Sequence, residues 1–408
     1  MRNRSLIAIT AALAAGALTL TACGSRDNGK DKGSSDGGST VVTIGFDAPL
    51  TGDLSALGIG MKNSVDLAVK QANKNKEVPG VTFKVKPLDD QAQPSSGQQN
   101  ATQLVADKSV IGVVGPLNSS VAQSMQKVFD TAHLVEVSIN TNPALTQGEK
   151  WDSGTKERPF KSYFRTATTD AVQGPFAAQY LYNTAKKKKV FVIDDKKTYG
   201  AGLAGTFTKE FTKLGGKVAG TEHVNPDAKD FGAVVTKVKS SGADVVYYGG
   251  EFPVAGPLSA QLKKAGAKIP LVGGDAIYSA EFTKLAGKSA EGDLATSVGA
   301  PVEQLPSAKS FIDNYKAAGY KEAYEAYGGF SYDSAWAIIQ AVKAVVKDGK
   351  LPSDARAKVT EAMQSVSFDG VTGKVSFDEY GDATNKQLTV YKVTGGAWKP
   401  ETSGTFEG

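Results

Sequence analysis

The side chains able to do chemistry are unevenly spread along this 408-residue chain, and the scarcest type is the most informative. Cys23 is the only cysteine, so no internal disulfide and no cysteine-based zinc site can form. The two histidines, His133 and His223, are far apart and lack ligand spacing, so no metal is expected. Gly33-Ser34-Ser35-Asp36-Gly37 matches the G-x-S-x-G pattern of a hydrolase nucleophile. That pattern needs a strained strand-to-helix turn, which a stretch of Gly, Ser, Asp and Lys does not supply. Gly200-Ala201-Gly202-Leu203-Ala204-Gly205 matches the dinucleotide pattern G-x-G-x-x-G. A pyrophosphate needs those glycines directly after the strand; here 194–199 intervene, so close helix–strand packing is their expected use. No cofactor and no enzymatic activity are expected.

The remaining candidates lie in loops that follow short apolar runs. These loops read Asp47-Ala48-Pro49-Leu50-Thr51-Gly52, Gly115-Pro116-Leu117-Asn118-Ser119-Ser120, Ser138-Ile139-Asn140-Thr141-Asn142-Pro143, Asp195-Lys196-Lys197-Thr198-Tyr199-Gly200 and Gly249-Gly250-Glu251-Phe252. Hydroxyls dominate the early loops, tyrosine and carboxylates the later ones. Neutral hydroxyls and helix N-terminal N–H groups suit a carboxylate, whereas carboxylates and phenols suit an ammonium. One end of a ligand would thus be held from each half of the chain. The competing use of Ser119 and Thr141 is to cap helices.

The elements that must position these loops alternate. Apolar, β-branched runs at 41–46, 110–114, 190–193 and 245–248 predict strands buried on both faces of parallel sheets. Helical spacing recurs at 61–72, 121–129, 176–182, 207–214 and 258–265. This alternation predicts an α/β fold, and the length predicts two lobes, since a single core rarely grows so large. Near the end, 375–378, a turn at Gly381-Asp382 and a run at 388–393 predict a strand, a turn and a final antiparallel strand.

The chain opens with Arg2 and Arg4, then an apolar stretch at 7–20 too short for a comfortable membrane span. It ends in Leu20-Thr21-Ala22-Cys23-Gly24, which resembles a bacterial lipobox. That resemblance implies a signal peptide over 1–22, cleavage after Ala22 and lipidation of Cys23, with two acyl chains giving stable anchoring to the cell membrane. Residues 23–40 read as a flexible tether. Net charge is +5, of which Arg2 and Arg4 supply two. The balance is too small for a polybasic binder, so no nucleic-acid partner is expected.

From Val42 to about Trp398 the chain resembles the branched-chain amino acid (leucine/isoleucine/valine) binding proteins of ABC importers. The residues that carry the likeness include Pro49-Leu50-Thr51-Gly52, Leu88-Asp89-Asp90, the loops at 115–120 and 195–202, Ala243-Asp244-Val245-Val246-Tyr247-Tyr248-Gly249-Gly250, Gly287-Lys288-Ser289-Ala290-Glu291-Gly292, and Phe377-Asp378 with Gly381-Asp382. The resemblance implies a type I periplasmic-binding-protein fold: two Rossmann-like lobes with parallel sheets, joined by a three-strand hinge near 167–170, 298–301 and 372–374. Lobe one would hold 41–168 and 300–372, lobe two 169–299 and 373–408. It further implies that Ser119 and Thr141 hold a ligand carboxylate, framed by Leu117, Asn118, Ile139 and Asn140. Asp275 would meet the ammonium, Tyr199 would face the cleft, and Tyr327 would close the apolar pocket. The partners implied are an amino acid, an ABC importer permease and, through Cys23, the membrane, with the protein acting as a monomer.

Three departures bear on the ligand. Leu57 stands where the best-studied members carry tyrosine. Glu251 stands at another tyrosine position, beside Asp275. Ala92 and Asn118 occupy the places of a cysteine pair found in gram-negative members. Two carboxylates beside one ammonium carry excess negative charge unless one is protonated or turned to solvent. The alternatives are therefore a polar or cationic amino acid, an aromatic acid or a urea-like amide in the same fold, or an amino-acid sensor lipoprotein.

Overall fold

The computed structural model describes residues 39–406. The expected signal peptide, Cys23 and most of the expected tether fall outside those residues. A first sheet of five parallel strands comprises β1 (Thr40–Ala48), β2 (Val81–Asp89), β3 (Val110–Val114), β4 (Val135–Ser138) and β5 (Tyr163–Arg165), in the order β2-β1-β3-β4-β5. A second sheet contains β6 (Lys189–Asp194), β7 (Lys217–His223), β8 (Val245–Gly249), β9 (Leu271–Gly273) and β10 (Leu294–Ser297), again parallel, in the order β7-β6-β8-β9-β10. Each sheet thus places its first strand between its second and third. In such sheets the loops on either side of the order reversal diverge and leave a crevice at the carboxyl ends. In the first sheet those loops follow β1 and β3; in the second they follow β6 and β8.

Burial explains why these segments are strands. β3, β4 and β8 are buried at every residue; in β3 and β8 continuous Val, Ile and Tyr runs fill the space, whereas β4 also buries Glu136 and Ser138. The edge strand β7 is largely open and alternates polar residues. Of the glycines at 200–205, Gly200 has the packing role expected of it, and Gly249 is its partner. A Cβ on Gly200 would lie 2.5 Å from the Gly249 carbonyl, so helix Thr198–Lys213 approaches β8 backbone to backbone. At the end of β3, Gly115 has φ +114, and a Cβ there would lie 2.0 Å from the Asp47 carbonyl, so only glycine lets the 115–120 loop start beside β1.

The tail departs from expectation. The 388–393 run is the core of β13 (Gln387–Thr394), but it is not the last strand. β14 (Ala397–Thr405) follows and pairs antiparallel with it, and β13 also pairs antiparallel with β10. β14 eluded the sequence pattern because it is an exposed edge strand with Pro400 and charged residues in place of an apolar run. Residues 375–376 belong instead to a small hairpin of β11 (Ser367–Gly370) and β12 (Gly373–Ser376). Beyond it, Phe377 packs edge-on against Phe164 with ring centroids 5.1 Å apart, and Asp382 pairs with Arg165. Residues 373–383 therefore side with the first sheet, later than the crossover expected near 372–374.

Arg165, at the end of β5, is fully buried. Its Nε lies 2.8 Å from Asp382 Oδ1, one Nη donates to the Asn140 carbonyl at 2.8 Å, and the other donates to Thr146 Oγ1 at 2.6 Å. Asp382 also accepts from Thr146 and Gln147, at 2.7 and 2.6 Å. A cation so far from water persists only because every partner is in place. The same group fixes the backbone of the 138–143 loop. Asp382→Ala is expected to lower unfolding free energy by about 3–5 kcal/mol in urea denaturation, since it leaves the Arg165 charge buried and unpaired.

Candidate functional site

A small cavity gathers polar groups from several of these loops. Loops from both sheets line it. The side of the first sheet contributes Leu57, Leu117, Asn118, Ser119, Ile139, Asn140 and Thr141, with Tyr327 just before helix Gly328–Val345, which packs on β3 and β4; the side of the second contributes Tyr199, Glu251 and Asp275. All eleven anticipated residues thus meet at one place. Leu54 and Ala276 also line the cavity and were not anticipated, although each adjoins a loop or residue that was.

Ser119 opens helix Ser119–Thr131 behind Asn118, and Thr141 precedes the short turn Ala144–Gln147. Neither hydroxyl caps a helix. Ser119 Oγ and Thr141 Oγ1 are both buried and neither makes a hydrogen bond. The Thr141 carbonyl accepts the Asp170 N–H at 2.8 Å, yet its hydroxyl stands near the Asp170 carboxyl without reaching hydrogen-bond geometry. A buried hydroxyl left unpaired costs about 1–3 kcal/mol, so two lining one cavity mark a place built to donate to an acceptor. The first N–H groups of a helix also lack intrahelical partners, and this one begins at Ser119.

Asp275 follows β9 and is 3 % exposed. Tyr199 and Gln173 donate to its Oδ1, each at 2.8 Å, and Tyr327 donates to Oδ2 at 2.7 Å. Gln173 is itself held, its Oε1 accepting from the Asp275 N–H at 2.9 Å and from the Thr296 hydroxyl at 2.8 Å. Burial pushes the Asp275 carboxyl above its ordinary value, and the three donors pull it part of the way back. Nearby Asp170 is pushed well up, by burial first and then by the Asp275 charge. The donors that hold Asp275 are all neutral, and Asp275 lines the cavity. It retains its attraction for a cation.

Glu251 is neither turned to solvent nor free to act as a second such carboxylate. It caps helix Phe252–Lys264, is 8 % exposed, and its Oε2 lies 2.8 Å from Lys197 Nζ. Asn118 from the first half donates to its other oxygen. Burial works to lower the Lys197 ammonium, but the charge and hydrogen bond of Glu251 raise it on balance. The expected excess of negative charge is thus neutralised within the protein. Lys197 was not singled out in the sequence because its partner lies a whole strand–helix unit away. Gln173 gave no signal either.

Further contacts join the two halves. Asn142 Nδ2 donates to the Thr198 carbonyl and Thr198 Oγ1 to Gln123 Oε1, both at 2.9 Å. With Tyr327 to Asp275 and Asn118 to Glu251, they make this a closed cleft.

Two doubly wound halves closed over a small polar-and-apolar pocket define a solute-binding protein. The chain belongs to the periplasmic binding protein family, whose model matches residues 41–397. It is 32% identical over 358 residues to Leu/Ile/Val-binding protein homolog 1 of Brucella suis, covering 87% of this chain and 91% of that one. It is also 32% identical over 353 residues to the leucine-, isoleucine-, valine-, threonine- and alanine-binding protein of Pseudomonas aeruginosa, covering 86% and 90%. Among solved structures it is similar to the branched-chain amino acid transporter substrate-binding protein LivJ of Streptococcus pneumoniae, in complex with isoleucine. There the TM-score is 0.78 at 25% identity, covering 90% of this chain and 99% of that one.

The Glu251 cluster has a consequence for pH. Asp195 is 1 % exposed, and burial, with the Glu251 charge, pushes its carboxyl up to about 7. In an unfolded chain an aspartate titrates near ~3.9. Between these values the folded protein holds a proton that the unfolded chain has released, so stability is lost as pH rises through this window. Asp195→Asn is expected to flatten the fall of unfolding free energy with pH there, by up to about 1.4 kcal/mol per pH unit. Urea denaturation at several pH values measures it, and an unchanged slope contradicts the assignment.

Proposed function

We propose that the protein binds a zwitterionic aliphatic amino acid, a branched-chain one first of all, in the interlobe cleft and delivers it to an ABC importer. The observation that carries this reading is the pairing of two unsatisfied buried hydroxyls, Ser119 and Thr141, with the Asp275 carboxylate in one small cavity. The hydroxyls suit a carboxylate and Asp275 suits an ammonium. Leu54, Leu57, Leu117, Ile139 and Ala276 supply an apolar wall for an aliphatic side chain. A cationic side chain finds no free partner, because Lys197 already occupies Glu251. An aromatic acid without an ammonium would leave the Asp275 charge buried and uncompensated.

Ligand binding would draw the two lobes together by hinge motion and favour the closed form that a permease reads. Lobe one would hold 41–168 and 300–383, lobe two 169–299 and 384–408. Cys23 would carry the lipid that keeps the protein at the extracytoplasmic face of the membrane. Support for anchoring comes from the order of basic residues, apolar stretch and Leu20-Thr21-Ala22-Cys23 in the sequence. Among the described residues no helix is long and apolar enough to cross a membrane.

Refolded protein, freed of carried-over solute, is expected to melt at higher temperature with leucine, isoleucine or valine, and to be unmoved by lysine, arginine, benzoate or urea. A rise with benzoate or arginine alone would overturn the reading. In calorimetry, Ser119→Ala and Thr141→Ala should each weaken leucine binding by roughly 5- to 100-fold, the loss expected of one buried hydrogen bond. Asp275→Asn should cost at least as much. Changing Cys23 to Ser should release the protein from the membrane fraction of cells; retention there would refute the anchor.

A further inference from the structure

A second and larger cavity, of ≈ 1140 Å³, lies apart from the amino-acid site and shares no lining residue with it. One wall is aromatic. Tyr278 stacks on Tyr391 with centroids 4.0 Å apart, and Trp398 meets Tyr278 edge-on at 6.0 Å. Trp398 is locked in place by donating from Nε1 to the Ser279 carbonyl at 2.9 Å. The facing wall comes from the segment before and within helix Gly328–Val345, with Tyr324 and Phe330. No lysine, arginine or histidine lines the cavity, but Glu303 and Glu325 do.

The partners of these two carboxylates are neutral. Glu303 accepts from the Tyr324 hydroxyl, and Glu325 accepts from Ser279 Oγ at 3.0 Å. The cation nearest Glu325 is Lys284, which is itself paired with Glu281 on the exposed side of its helix. Glu325 also adopts φ +52, a left-handed conformation costly for this residue type, which aims its side chain across to the other wall. Aromatic faces attract weakly hydrated cations, and the half-buried Glu325, held by a neutral donor, borders the same space. An inorganic ion fits poorly: among the described residues no group of three or more His, Cys, Asp or Glu side chains is placed to hold a metal.

We propose that this cavity is a second binding site, for an organic ammonium ion, with a methylated or otherwise substituted nitrogen resting against Tyr278, Tyr391 and Trp398 and facing Glu325. The test is a fluorescence titration of the purified protein with choline and with its neutral isostere, 3,3-dimethyl-1-butanol. Trp398 lines this cavity, and no tryptophan lines the amino-acid site, so the signal reports the location. Choline is expected to change the emission saturably and to bind about tenfold more tightly than the alcohol. Trp398→Phe should abolish the response, and Glu325→Gln should weaken choline several-fold while the melting curve still rises with leucine. Equal binding of choline and the alcohol, or no saturable response to choline, overturns the proposal. The wild-type comparison stands whether or not either variant folds. A Glu325→Gln protein that folds and binds choline unchanged also overturns it.

Discussion

Removing a carboxylate from water is costly, and the cost is bearable only where donors or an opposite charge replace the lost hydration. Asp275 faces this constraint at the centre of the molecule, and the rest of the cleft is arranged around it. Its donors, Gln173, Tyr199 and Tyr327, come from three different segments of the chain. Tyr199 can reach because Gly200 and Gly249 bring its helix against β8. Tyr327 reaches from the opposite half, so the group that completes the shell of Asp275 is also one that closes the cleft. Neutral donors ease the burial but do not cancel the charge, and that leaves work for a ligand's ammonium.

The opposite wall poses the converse problem. Ser119 and Thr141 are donors without acceptors, in positions where water is scarce. The Arg165–Asp382 pair, behind this wall, holds the Asn140 carbonyl and so sets where Thr141 stands. Glu251 gives the two halves a contact that involves no ligand. Lys197 neutralises one oxygen, Asn118 reaches across to the other, and the charge at this corner is spent within the protein. Solute selection is thereby left to the hydroxyls, to Asp275 and to the apolar side chains between them.

Much of this was legible in the sequence, for identifiable reasons. Strands buried on both faces need continuous apolar runs, so 110–114 and 245–248 coincide with β3 and with all but the last residue of β8. Loops at the carboxyl ends of such strands are where a crevice must form, which put Ser119, Thr141, Tyr199 and Glu251 on view. Asp275 and Tyr327 came from family likeness alone, since nothing in their local spacing marks them. What stayed hidden depended on pairing across long sequence separations. Lys197 with Glu251, Arg165 with Asp382 and Gln173 with Asp275 each need the folded topology before they can be seen. The exposed β14 stayed hidden for a different reason: a strand that buries little has no need of an apolar pattern.

The central claim is that both charged ends of one amino acid are held, the carboxylate by Ser119 and Thr141 and the ammonium by Asp275. Calorimetric titration with leucine, 4-methylpentanoate and 3-methylbutylamine tests it directly, because the last two share leucine's side chain but lack the ammonium or the carboxylate. The account predicts that leucine binds and that each truncated ligand is weaker by at least roughly 100-fold, the scale of losing a buried charged partner. If 4-methylpentanoate binds as tightly as leucine, Asp275 does not hold an ammonium and the account is contradicted.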